Sequence, residues 1–357
     1  MIDKNRDKGK IITVLGAIDS SEIGITLPHE HILMDLSAYF SEPDETTEKK
    51  MAYEKVSLNN LHWIHTHLMG NQDDVVLNDE KLAADELLRF KKSGGKTVVE
   101  LSCVGLGRDP LGLKRIAIET GLNIVMGAGY YVGCSHPENI RKMDAEEIAD
   151  EIVKDITIGV GQTGVRAGII GEIGCSHPFE DAERKIVLAS AIAQKATGVA
   201  INIHPSRHDE SLIEIINILE RGGANLQRTV ISHLGHFGYS AETIEEVAKA
   251  GCYLEFDTFG HPALPVDTFK SGEGRLLEMP SEVQRINHIK TLIEKGYAEK
   301  ILISQDCCFK HKLTNYGGYG YAHILEHIVP WMQERGITDQ QIELFLIRNP
   351  EKMLRIA

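Results

Sequence analysis

From residue 80 onward, short runs of β-branched and aliphatic residues alternate with longer stretches of helical period, and this rhythm constrains the fold more than anything else in the chain. The runs are Lys96–Leu101, Asn123–Gly127, Ala167–Ile173, Val199–His204, Thr229–His233, Gly251–Phe256 and Lys300–Asp306; an earlier run, Ile23–Ile32, is of the same type. They are continuously apolar rather than alternating, which is the mark of parallel strands covered on both faces. Between them, Asp79–Ser93, Asp144–Ile158, Phe179–Thr197, Glu210–Arg221, Ala241–Ala250 and Ser281–Lys295 have helical period. Glycine follows these stretches repeatedly (Gly94, Gly198, Gly222, Gly251, Gly296), as loops from helix to strand prefer. Eight strands with intervening helices predict an α/β chain, a (β/α)8 TIM barrel over residues 1–357 as a single domain. An open doubly wound sheet is the alternative, but no G-x-G-x-x-G turn follows the first strand. Two long loops interrupt the rhythm, Leu36–Asn78 after strand 1 and Asp257–Pro280 after strand 7. In a barrel both stand where active-site lids are built.

The charge balance excludes some partners. Lys and Arg number 38 against 52 Asp and Glu, a net charge of −14, so nucleic acid and anionic membrane are poor partners and a small-molecule substrate is expected. None of the six cysteines forms a C-x-x-C pair, and no stretch is long and apolar enough for a bilayer. The charged N-terminus leads into no signal-like apolar run. A reduced, cytoplasmic protein is the expectation.

Sixteen histidines are unusual for 357 residues, and their placement matters more than their number. About one H-x-H pair is expected by chance, and there are two: His29-Glu30-His31 and His65-Thr66-His67. On a strand, side chains at i and i+2 share a face and two imidazoles can reach one ion. On a helix they point about 200° apart. His65 and His67 lie in Leu58–Met69, which reads as helix, so they and His62 are expected to be solvated or capping. His29 and His31 end the first strand. The fourth strand ends in Glu172, the fifth in His204, the sixth in His233 and the eighth in Asp306. Each is a ligand-type residue at the C-terminal end of an apolar run, where barrel enzymes place their chemistry.

Imidazole and carboxylate donors suit Zn²⁺, with Mn²⁺, Co²⁺ and Fe²⁺ as competitors. Four histidines and two carboxylates exceed one tetrahedral site. Glu172 has two oxygens and is the natural bridge between two divalent ions about 3.5–4 Å apart that would share a hydroxide. Asp306 could ligate one ion and act catalytically by taking a proton.

These stretches resemble the phosphotriesterase family of the amidohydrolase superfamily, metal-dependent hydrolases on (β/α)8 barrels. The resemblance rests on Gly24-Ile25-Thr26-Leu27-Pro28-His29-Glu30-His31, Gly127-Ala128-Gly129-Tyr130-Tyr131, Ile203-His204-Pro205, Ser232-His233 and Ser304-Gln305-Asp306. It implies that His29, His31 and Asp306 hold a more buried metal, His204 and His233 a more exposed one, and that Glu172 bridges them. The founding enzymes of that family carry a carboxylated lysine where this chain has Glu172, which argues against direct transfer of phosphotriesterase activity. Gly168–Ser176, Gly251–Asp257 and Tyr316–Tyr321 look like the Glu-bridged, phosphotriesterase-related branch. That branch implies an amidase on N-acyl amino acids, N-acetyltaurine among them, and a homodimer by analogy. A lactonase or phosphoesterase on the same site, or a metal-containing binding protein without turnover, are the alternatives.

Tyr131 matches a family tyrosine near the substrate. Arg207 either pairs with an anionic substrate tail or is a surface residue. Asp257 either hydrogen-bonds a ligand histidine or caps a loop. His236, His261 and His311 fall on loops near the rim and read as structural. Cys307 and Cys308 flank Asp306 and read as packing.

Overall fold

The computed structural model describes residues 7–206, 208–235, 239–261 and 279–357, together with the backbone of two short strands, Val266–Asp267 and Leu276–Leu277. Its centre is an eight-stranded sheet. We number these strands β1 (Thr26–Glu30), β2 (Thr97–Glu100), β3 (Asn123–Ala128), β4 (Ile169–Gly174), β5 (Ile201–His204), β6 (Thr229–Ile231), β7 (Tyr253–Phe256) and β8 (Ile301–Ile303). Each strand pairs in parallel with its neighbour in sequence, so the spatial order equals the chain order. The edge strands meet through other bonds. Asp306 N donates to His29 O at 3.3 Å, His29 N donates to Ser304 Oγ at 3.2 Å, and Ser304 Oγ donates to the Glu30 carboxylate at 2.7 Å. The sheet is thereby a nearly closed barrel, the architecture expected from the eight apolar runs.

Helices Glu80–Lys92 (α1), Pro110–Thr120 (α2), Ala145–Thr157 (α3), Asp181–Thr197 (α4), Asp209–Arg221 (α5), Ala241–Lys249 (α6) and Glu282–Glu294 (α7) connect successive strands. Their starts follow local chemistry. Asp79, Asp109, Asp144, Ser240 and Ser281 each accept a hydrogen bond from a first-turn amide, and Glu147 completes a capping box with Asp144. Periodicity does not single out α2, although Asp109, Pro110 and Gly121 are start and stop residues for it.

The loop after β1 carries helices Thr46–Tyr53 and Leu61–Thr66, and its ends pair as Met34–Asp35 with Val76–Leu77. The loop after β7 lies mostly outside the described residues. The chain after β8 is a third long rim segment, wound into short turns at Lys310–Lys312 and Thr314–Tyr316.

The opposite end of the barrel is stoppered. Val99, Val125, Ile169, Val230, Tyr253 and Leu302, from six different strands, pack with Ile11 of the N-terminal hairpin and with Met353 and Leu354. Chemistry therefore has room only at the strands' C-terminal rim. No described helix is long and apolar enough to cross a membrane.

Candidate metal centre

β1 ends at Glu30, β6 at Ile231 and β8 at Ile303, each earlier than the apolar runs suggest. His233 and Asp306 therefore lie just beyond their strands, and both take left-handed backbone, φ 61° and 49°. Such geometry in a non-glycine residue costs on the order of 1–3 kcal/mol. Both side chains turn inward, and the cost persists at two residues of one cluster.

The six residues at the strand ends converge. Glu172 is central. Its Oε1 lies 2.7 Å from His204 Nδ1, 2.9 Å from His233 Nε2 and 3.6 Å from His29 Nε2. Its Oε2 lies 3.7 Å from His31 Nε2. Asp306 Oδ1 lies 3.4 Å from His31 Nε2 and 3.9 Å from His29 Nε2. Three donor trios result among the described residues, His29–His31–Asp306, Glu172–His204–His233 and His29–His233–Asp257. His29 is fully buried, whereas the His204 and Asp306 side chains are 19% and 12% exposed, so solvent reaches the cluster from that side.

Glycine makes room for Glu172. Its neighbour Gly171 presses a carbonyl against β3, and a Cβ on Gly127 would stand 1.9 Å from that oxygen. Only glycine fits at 127.

The backs of His29, His31 and His233 are anchored. His29 Nδ1 lies 3.0 Å from Glu255 Oε2, which also accepts from Asn202 Nδ2 at 2.8 Å and Ser232 Oγ at 2.7 Å. His31 Nδ1 lies 2.9 Å from Ser102 Oγ. Asp257 takes both the backbone N–H and Nδ1 of His233, at 2.9 and 3.0 Å. The carboxylates favour the proton on Nδ1 of His29 and His233, and in these three rings Nε2 turns toward the cluster, whereas His204 presents Nδ1 to Glu172.

The donor set fits divalent cations. His29 Nε2 is buried without a hydrogen-bond partner. The separations of 3.4–3.9 Å around His29, His31, Glu172 and Asp306 are long for hydrogen bonds but suit donors sharing an ion. Ligands at zinc distances in a tetrahedron stand about 3.4 Å apart. The electrostatics agree. Glu172 and Asp306 are buried here and held in the ionised form, and a low-dielectric interior tolerates such anions only beside positive charge. Burial opposes protonation of His29, yet Asp257, Glu172 and Glu255 push it up to about 10. Burial likewise opposes ionisation of Glu172, yet His204 and His29 hold its carboxyl well below the usual range.

Tyr131 lies at the mouth, buried, its ring 5.0 Å from that of His204 and 6.0 Å from that of Tyr39. Arg207 and His236 lie outside the described residues. His311 is buried on Asp74, and His261 is buried beside Lys312. The second H-x-H pair stays apart: His67 ends helix Leu61–Thr66 and stacks on Trp63, while His65 faces His311. Periodicity does not single out Ser102, Glu255, Glu30 or Lys312. Glu255 alone gives a signal, a carboxylate inside an otherwise apolar run.

The phosphotriesterase family model matches residues 9–354. The chain belongs to the phosphotriesterase family. It is a hydrolase, in a family of binuclear metal-dependent enzymes. The N-acetyltaurine hydrolase of Dictyostelium discoideum is 41% identical over 98% of both chains. That of Homo sapiens is 39% identical over 97% of this chain and 98% of that one. A resiniferatoxin-binding protein from Rhodobacter sphaeroides superposes with a TM-score of 0.91 at 35% identity, covering 97% of this chain and 95% of that one. These phosphotriesterase relatives span the present chain almost end to end.

Proposed function

We propose that the protein hydrolyses the amide bond of a small N-acylated amine with an anionic tail, N-acetyltaurine being the first candidate. Full-length identity of 41% and 39% to N-acetyltaurine hydrolases is the observation that carries this reading. His29, His31 and Asp306 would hold one divalent ion and His204 and His233 the other, and Glu172 lies within reach of both sets. Zinc is the ion of choice for this donor set. When bound, such a pair acidifies water to a nucleophile and polarises a carbonyl.

The remaining work falls to the side chains. Ser102, Glu255 and Asp257 fix the imidazole tautomers. Asp306, ionised and partly solvent-facing, accepts the proton of the attacking water and passes it to the leaving amine. Tyr131, beside His204 at the mouth, orients the acyl group. Arg207, three residues past His204, is assigned to the anionic tail. In this reading the protein is cytoplasmic, a single domain acting on a small molecule.

The test is a hydrolysis screen with zinc-reconstituted protein against N-acetyltaurine, other N-acyl amino acids, lactones and phosphotriesters. Turnover of N-acetyltaurine above the rest is expected. Preference for a lactone or phosphotriester would overturn the amide reading, and turnover of none would return the protein to ligand binding.

A further inference from the structure

Asp306 is held by more than its own strand. The carboxylate of Glu30, the middle residue of His29-Glu30-His31, points away from the histidines, as period-two alternation requires. It accepts from Gln305 N at 2.9 Å and from Cys307 N at 2.9 Å, the amides on either side of Asp306. It also accepts from Ser304 Oγ at 2.7 Å and Gln305 Nε2 at 3.2 Å. Both of its oxygens are thus committed to the segment around Asp306.

Lys312 closes the other side. Its buried ammonium donates to the backbone carbonyl of Asp306, to His261 Nε2 and to Cys308 Sγ at 3.3 Å. An ammonium has three N–H donors, so these acceptors saturate it and leave none for substrate. The backbone of Lys312 is itself clasped. Gly320 N donates to its carbonyl at 2.8 Å, and a Cβ on Gly318 would stand 2.2 Å from its carbonyl carbon. Tyr321, in the same Tyr316–Tyr321 segment, donates its hydroxyl to His31 O at 2.7 Å. This glycine- and tyrosine-rich segment therefore reaches the cluster through Lys312 and His31.

We propose that Glu30 and Lys312 are the positioning residues of Asp306, gripping the backbone on both sides of its left-handed Cα so that its carboxylate meets the histidine cluster in one orientation. Neither residue touches substrate. The left-handed turn is unfavourable by itself, and a buried anion and a buried cation, each fully engaged, hold it. This inference rests on Asp306 being a metal ligand.

The experiment uses full-length Lys312→Met, Glu30→Gln, their double variant and Asp306→Asn. Zinc affinity is read by chelator competition, alongside kcat and KM for the best substrate of the screen and the Tm. Loosening of a ligand's support costs about ten- to a hundredfold in metal affinity. Each single variant should show that loss, with kcat falling and KM unchanged. The double variant should lose no more than the worse single, because both act on one residue. Lys312→Met should lower Tm, but well below that Tm, where circular dichroism still shows the wild-type fold, the loss of zinc affinity should persist, which a merely structural role for the lysine would not produce. If Lys312→Met does not fold, Glu30→Gln decides by the same criterion. Asp306→Asn separates the two ideas. If it binds zinc as tightly as wild type, Asp306 is no ligand and the underlying reading fails. If it loses affinity while Glu30→Gln and Lys312→Met keep theirs, the positioning role is refuted.

Discussion

His29 Nδ1 and the Glu255 carboxylate stand 3.0 Å apart in the buried interior of the barrel, so the first strand's metal-ligand candidate is aimed by a residue of the seventh. Asn202 and Ser232, from the fifth strand and the end of the sixth, hold Glu255 in turn. Replacing Glu255 with Gln keeps the volume and removes the charge that favours the Nδ1–H tautomer. Glu255→Gln should weaken zinc binding by about ten- to a hundredfold while the fold persists. Chelator competition with circular dichroism checks this. Unaltered zinc affinity would mean that the His29 ring is aimed by packing alone.

Glu172 and Asp306 should fail differently. Glu172 faces all four histidines, so Glu172→Gln disturbs donors on both sides of the cluster and should cost at least one equivalent of bound metal. Asp306 contributes to one trio and, in the proposed mechanism, would also accept the proton. Asp306→Asn should lower kcat by about 10²–10⁴ with little change in KM. Elemental analysis beside steady-state kinetics distinguishes the two patterns. Two full equivalents of metal in Glu172→Gln would exclude its bridging role.

Much of this was legible in the residues. Parallel strands buried on both faces must be continuously apolar, which is why eight runs located the barrel strands. A ligand-type residue ending such a run is conspicuous, as with Glu172 and His204. What supports those residues was not legible. Ser102 and Lys312 act across the rim from distant segments, and spacing carries no record of which loop folds over which strand. Glu30 was hidden inside the H-x-H motif as its middle residue. Strand ends were overrun at His233 and Asp306 because a left-handed turn leaves no mark in a hydrophobic pattern.

Gly127 tests the packing beneath Glu172. A methyl group there would overlap the Gly171 carbonyl at 1.9 Å, and the oxygen belongs to backbone that cannot rotate away. Overpacking of a core costs typically about 1–3 kcal/mol and sometimes more. Gly127→Ala should therefore lower Tm and also displace Glu172, so that metal affinity falls in the fraction that still folds. A fully stable Gly127→Ala with normal metal content would show that β3 and β4 can part without cost.

Chelation should reveal how much of the fold depends on the ions. The buried carboxylates around the cluster repel one another once their counter-charges leave, and metal bound only to the native state adds about 2.7 kcal/mol at a hundredfold excess over Kd. Exhaustive treatment with a chelator should lower Tm, and zinc should restore it in a concentration-dependent manner. A Tm indifferent to zinc would be incompatible with ions bound in the barrel.

The two H-x-H pairs supply the sharpest control, because they share a motif and differ in backbone. His29 and His31 converge on Glu172 and Asp306 from the end of a strand. His65 and His67 leave a helix end in different directions, one toward His311 and the other stacked on Trp63 at 4.5 Å. Helical geometry forbids joint chelation by residues two apart. His29→Ala should abolish one metal equivalent, whereas the double variant His65→Ala/His67→Ala should keep the wild-type zinc content and affinity, and lose only the stability contributed by the Trp63 stack. Loss of zinc from the His65/His67 variant would place an ion outside the barrel mouth and contradict the assignment of the strand-end histidines as the metal ligands.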